Sequence, residues 1–114
     1  MMDPQDFIKV GERTFKLDDQ IIFANFSGDH NPIHVDLVEV RKTAMGECIV
    51  HGMNGLLWAL ECLSHACGRV PVKFKIKFQK PLSIDSRLIC LWNELKRNVK
   101  IQTEENETLF SLHY

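Results

Sequence analysis

Between Ile49 and Cys67 apolar residues recur at three- and four-residue steps, at Ile49, Met53, Leu56, Leu57, Leu60, Leu63 and Cys67. That spacing predicts one long helix, closed by Gly68 as its C-cap. Trp58, Ala59 and Cys62 make the opposite side apolar too, so this helix is expected to be buried and not laid on a surface. Beyond Pro71 the period changes to two. Val72, Phe74, Ile76 and Phe78 alternate with Lys73, Lys75 and Lys77, and Lys80 follows, the pattern of a half-buried strand with a lysine face. Three more strands are predicted over Leu88 to Leu95, Asn98 to Thr103 and Thr108 to His113, the last two joined by the turn-rich E-E-N-E.

Ahead of the long helix, Arg13 to Leu17 forms a short strand. Asp18 or Asp19 is the expected N-cap of a short helix with apolar positions Ile21, Ile22, Ala24 and Phe26, ending at Gly28. The run S-G-D-H-N-P from Ser27 to Pro32 is a loop, because Pro32 turns Asn31 away from helix. Val35 to Thr43 resumes as a second short helix. One strand, then helices, then a run of strands argues for an α+β architecture in which an antiparallel sheet packs on the buried helix.

Composition narrows the function classes. The chain has 114 residues, 45% of them hydrophobic, enough for a single domain over residues 1–114 with one core; its end suits either a compact protein or a domain cut from a longer one. Fourteen basic and 15 acidic residues leave a net charge of -1, so no global field attracts nucleic acid or an anionic membrane. No apolar run is long enough to span a bilayer, and the acidic N-terminus does not resemble a secretory signal. Cys48, Cys62, Cys67 and Cys90 show no C-x-x-C spacing and are expected as reduced thiols in a cytoplasmic setting.

The informative stretch runs from Phe23 to Met53. It contains F-A-N-F-S-G-D-H-N-P-I-H-V-D and, further on, I-V-H-G-M. This resembles the signature of the MaoC-like and (R)-specific enoyl-CoA hydratases, in which S-G-D-x-N-P-x-H precedes I-x-H-G-M. A looser resemblance extends from Val10 through the F-x-x-P of Phe78 to Pro81 and on toward Leu95. It implies a hot-dog fold, with the antiparallel sheet wrapped around a central helix, and a homodimer that completes an acyl tunnel. It also implies reversible addition of water to trans-2-enoyl thioesters to give (R)-3-hydroxyacyl thioesters. Coenzyme A, or the phosphopantetheine of an acyl carrier protein, would enter as part of the substrate, with no separate cofactor.

The residue types fit that chemistry. Hydration needs a group that takes a proton from water, a group that returns one to the α-carbon, and donors for the enolate on the thioester oxygen. Asp29 and His34, set on one loop restrained by Pro32, supply the first two. Gly52, at the start of the buried helix, supplies the third through its backbone N–H, and without a side chain it admits the thioester oxygen closely. Ser27, Asn31, His51 and Met53 flank these three residues and are the expected substrate-binding set. For Ser27 and Asn31 bonding to the loop backbone is the alternative, and for His51 a packing or supporting role.

Alone, Asp29 reads as a turn former and His34 as a structural histidine; it is their spacing with H-G-M that makes them a pair. His30, His34 and His51 invite a zinc hypothesis, but Pro32 prevents the one-face helical arrangement that such spacing needs, and no metal is expected. Lys73, Lys75 and Lys77 form a solvated face that also suits coenzyme A phosphates. Many relatives carry a small hydroxyl residue two turns into the long helix, where this chain has Leu57, Trp58, Ala59 and Leu60; Trp58 and Leu60 would shorten the acyl pocket. Asn54 and Cys48 stand where an aliphatic residue and a proline are common. The competing readings are a hot-dog thioesterase and a non-catalytic acyl-binding or dimerisation module of a larger synthase.

Overall fold

The structure, a computed structural model, describes residues 6–42 and 48–114. Strand β1 (Ile8–Thr14) is followed by helices α1 (Leu17–Ser27), α2 (Pro32–Val35), α3 (Leu37–Val40) and α4 (Gly52–Cys67), then by strands β2 (Lys75–Phe78), β3 (Arg87–Asn93), β4 (Asn98–Thr103) and β5 (Thr108–His113). The strands form one antiparallel sheet in the order β1-β3-β4-β5-β2.

Alternation places one face of this sheet on the core. Cys90 lies opposite Ile101, and Ile101 opposite Phe110; Trp92, Val99 and Leu112 form the next row, and all six side chains are buried. Helix α4 fills the same core with Leu56, Trp58, Ala59, Cys62 and Leu63. The Trp58 ring meets the fully buried Phe15 edge-on at 6.0 Å, a contact worth about 0.5–1.5 kcal/mol beyond the area it buries. At Gly11 an added Cβ would lie 2.7 Å from Cys62 Sγ, so α4 approaches β1 this closely only because that position has no side chain. The result is the α+β hot-dog arrangement, a sheet wrapped around a central helix.

The four cysteines are free, with Cys48, Cys62 and Cys90 buried. A bond to Cys62, together with burial, holds the Cys90 thiol well above the ordinary thiol range. Among the described residues no helix is long and apolar enough to cross a membrane.

Several elements differ from the sequence expectation. The first strand is Ile8–Thr14 and not Arg13 to Leu17, because the backbone pairs with β3 from Ile8 opposite Trp92 to Thr14 opposite Arg87, through an irregularity between Lys9 and Gly11. The N-cap of α1 is Lys16; Asp19 instead accepts the Lys16 N–H at 2.8 Å. The buried face of α1 is Gln20, Phe23 and Ala24, while Ile21, Ile22 and Phe26 are exposed. The second short helix is two single-turn pieces, α2 and α3, divided at Asp36, whose carboxylate caps α3 at the Val38 and Glu39 N–H groups; its expected end, Thr43, lies outside the described residues.

The long helix begins at Gly52, since Ile49 is extended and bridges Ser83. Met53 and Leu57 leave one side of it uncovered. Strand β2 starts at Lys75, opposite His113, and Val72 ahead of it is 95% exposed. Strand β3 ends at Asn93 instead of Leu95.

Candidate active site

Helix α1 ends where Gly28 takes a left-handed conformation, φ 80°, and donates to Ala24 O at 2.8 Å. A residue with a Cβ is disfavoured there. The chain then turns through a relay of short polar side chains: Ser27 Oγ accepts the Asp29 N–H, Asp29 Oδ1 accepts the Asn31 N–H and Asn31 Oδ1 accepts the Ile33 N–H, each at 3.2 Å. These are the turns that Ser, Asp and Asn favour. They give Ser27 and Asn31 the loop-backbone bonds raised for them as the alternative. Asn31 caps α2, with Pro32 in its first turn.

His34 therefore stands on a one-turn helix and not on the loop with Asp29. Its ring is nearly buried, and Nδ1 lies 2.8 Å from Ile49 O. A carbonyl oxygen only accepts, so Nδ1 carries the proton and Nε2 presents a lone pair. Nε2 faces Asp29 Oδ2 at 3.6 Å, with Asp29 half-exposed. That separation is too long for a direct hydrogen bond and leaves both atoms within reach of one shared water.

His51 is buried and caps α4 at its N-terminus. Its Nε2 donates to Asp29 O at 3.0 Å, and its ring stacks on His34 at 3.9 Å and lies 4.8 Å from Phe23. Burial pushes the His51 imidazole below its ordinary value against the opposing bond to Asp29, and His34 adds to the depression. His51 thus supports the pair from behind, the packing alternative raised for it, while Nδ1 is buried without a partner among the described residues.

Gly52 opens α4. The first N–H to reach a carbonyl within the helix is that of Gly55, at 3.1 Å from His51 O, so the amides of Gly52, Met53 and Asn54 stand outside the helical ladder at its positive end. Phe78 forms one wall beside Gly52, its ring 3.5 Å from where a Cβ would be. Met53 is 58% exposed on the first turn, next to the amide it was expected to accompany. Trp58 is buried in the core against Phe15.

Among the described residues, the ligand-type atoms that converge, within 4.8 Å of one another, belong to Asp29, His34 and His51; His30 is exposed. The His34 and His51 rings are only 22° from parallel, so their in-plane lone pairs run side by side instead of meeting at a tetrahedral centre. The arrangement suits proton transfer at His34 and Asp29.

Two contributors escaped the sequence reading. Phe78 belongs to a strand pattern and to the F-x-x-P of the family resemblance, neither of which sets its ring beside Gly52. Gln20 is fully buried and donates from Nε2 to His34 O at 3.0 Å and to Ile49 O at 2.7 Å. A polar residue three and four positions ahead of Phe23 and Ala24, on the stripe that faces the core, was the available signal.

Residues 4–111 match the family model described as MaoC like domain. No curated protein sequence matches the chain. Among solved structures it is similar to the R-hydratase PhaJ1 from Pseudomonas aeruginosa, at 19% identity and TM-score 0.78 over 94% of this chain and 76% of that one. It is also similar to the (R)-hydratase from A. caviae involved in PHA biosynthesis, at 20% identity and TM-score 0.71 over 95% and 93%. The HadBC (3R-hydroxyacyl-ACP dehydratase) complex from Mycobacterium tuberculosis is 10% identical, with TM-score 0.75 over 93% and 91%. At these identities the structural likeness establishes the fold.

Proposed function

This chain belongs to the MaoC-like domain family, and we propose that it adds water reversibly to trans-2-enoyl thioesters, giving (R)-3-hydroxyacyl thioesters. The observation that carries this reading is the pairing of the His34 Nε2 lone pair with the Asp29 carboxylate at 3.6 Å, beside the first-turn amides of α4 that stand outside its helical ladder.

In the proposed reaction a water held by both groups loses one proton to the pair as its oxygen bonds to C3. The π electrons of the C2=C3 bond move to the thioester oxygen, where the Gly52 N–H stabilises the enolate. The enolate then collapses and C2 takes a proton back from the pair. One water is consumed and nothing else changes. Delivery of both parts of the water from one side makes the addition syn, and the names of the two R-hydratase neighbours support the R configuration. The carrier, coenzyme A or an acyl carrier protein, lies outside the reacting atoms; the ACP named for HadBC supports keeping both.

A homodimer belongs to the same proposal. Strand β2 is an edge of the sheet, and Phe74, Phe78, Met53 and Leu57 are exposed, an apolar surface that a second copy joined along β2 would cover. Incubation with crotonyl-CoA, followed by loss of the conjugated thioester absorbance and chiral analysis of the product, tests the activity. Release of free thiol with the double bond intact would indicate a thioesterase instead.

A further inference from the structure

We infer that Gln20 is a positioning residue for this reaction, its amide locking His34 in the ring orientation and tautomer that proton transfer requires. The inference rests on the hydration reading, although its structural half can be observed without it.

One carbamoyl group joins three distant pieces of chain. From α1, Gln20 Nε2 donates to the backbone carbonyl of His34 on α2 at 3.0 Å and to the carbonyl of Ile49, ahead of α4, at 2.7 Å. The same Ile49 oxygen accepts the His34 Nδ1–H at 2.8 Å. Gln20 therefore grips both the backbone that carries the imidazole and the acceptor that orients it. If Ile49 O drifted, Nδ1–H would lose its partner and the proton could move to Nε2, which would then offer Asp29 and the shared water no lone pair.

The bonding of Gln20 is lopsided. Its side chain is fully buried, and Oε1 has no partner among the described residues. The amide cannot be reversed to correct this, because its oxygen would then face two carbonyl oxygens. Burying an unpaired acceptor is unfavourable, and an apolar side chain of similar volume would fill the space without it. The presence of glutamine here follows if its two N–H donors are what the site requires. Its place on α1 also ties the catalytic pair together, since α1 leads through Gly28 directly into Asp29.

The test uses Gln20→Met, which keeps the volume and removes both donors, with nitrogen-15 spectra of the histidine rings and crotonyl-CoA kinetics. Wild type should show His34 as the single Nδ1–H tautomer. In Gln20→Met the His34 signals should report mixed tautomers, and kcat should fall about tenfold to a hundredfold with KM within about a factor of two. Gln20→Glu adds a readout that packing alone would not move. Protonated, it keeps one donor; ionised, it sets a carboxylate against two carbonyls. Its activity relative to wild type should therefore fall as pH rises, and this variant decides the matter if Gln20→Met does not fold. An unchanged tautomer with wild-type kcat in Gln20→Met, or a pH-independent activity ratio in Gln20→Glu, overturns the inference. A tautomer change in a protein whose wild type leaves crotonyl-CoA untouched upholds the positioning of His34 and refutes the hydration reading.

Discussion

The imidazole rings of His34 and His51 stack face to face, 3.9 Å between centroids and 22° from parallel. Burial, with the His34 ring stacked beside it, pushes the His51 imidazole below its ordinary value, so His51 stays neutral into mildly acidic solution. The unfolded chain, with histidine near its ordinary value of 6.5, then binds more protons than the folded chain in mildly acidic solution. The His51 contribution to stability is present above about pH 6.5 and is lost as pH falls through the lowered folded value. His51→Gln should reduce the drop in urea midpoint between about pH 7.5 and about pH 5.5 relative to wild type. An equal drop in both proteins would show that His51 does not carry this linkage.

His34→Ala removes the Nε2 lone pair and should lower kcat by about a hundredfold or more, the usual scale for a positioned acid or base. The fold should survive, because Ile49 O keeps its bond from Gln20 and the sheet core is elsewhere. Circular dichroism with steady-state kinetics checks both halves, and wild-type turnover in a folded variant would remove His34 from the mechanism.

How much of this was legible in the sequence depended on how regular each segment is. Strands β4 and β5 fell where alternation placed them, because Val99, Ile101, Phe110 and Leu112 all face one core. Strand β1 was misplaced because its register shifts between Lys9 and Gly11, which breaks the period of two, and because Phe15 is buried just past its end. On α1 the apolar letters pointed to the wrong face: the buried stripe includes Gln20, whose worth lies in hydrogen bonds that hydropathy does not register. Val72 and Phe74 continue the alternating pattern ahead of β2, but pairing with β5 begins only at Lys75. The pair Asp29 and His34 came from a motif, and a supporting role was already one reading of His51; its partners, the stacked His34 ring and the Asp29 carbonyl, are visible only in the folded chain.

At Gly52 a methyl group would make ordinary contact with Phe78, 3.5 Å away, so Gly52→Ala should remain well folded and active. Gly52→Val adds branches where the thioester oxygen must sit and disfavours the first helical turn. Its rate should fall about a hundredfold or more, the scale of losing one oxyanion donor. Equal rates for Gly52→Val and wild type would place the thioester away from this helix end.

Sedimentation at micromolar concentration should find a dimer. Phe74→Asp, which puts a carboxylate on the exposed apolar edge beside β2, should shift it toward monomer while leaving the sheet core untouched. A wild-type monomer with full activity would contradict the proposed assembly.

The most direct test compares wild type with Asp29→Asn on crotonyl-CoA. Asparagine retains the Oδ1 that accepts the Asn31 N–H at 3.2 Å, so the loop should hold while the carboxylate facing His34 is lost. The account predicts rapid loss of the conjugated thioester absorbance with formation of (R)-3-hydroxybutyryl-CoA by wild type, and a rate lower by about a hundredfold or more in the variant. No hydration by wild type, or equal hydration by folded Asp29→Asn, would contradict it.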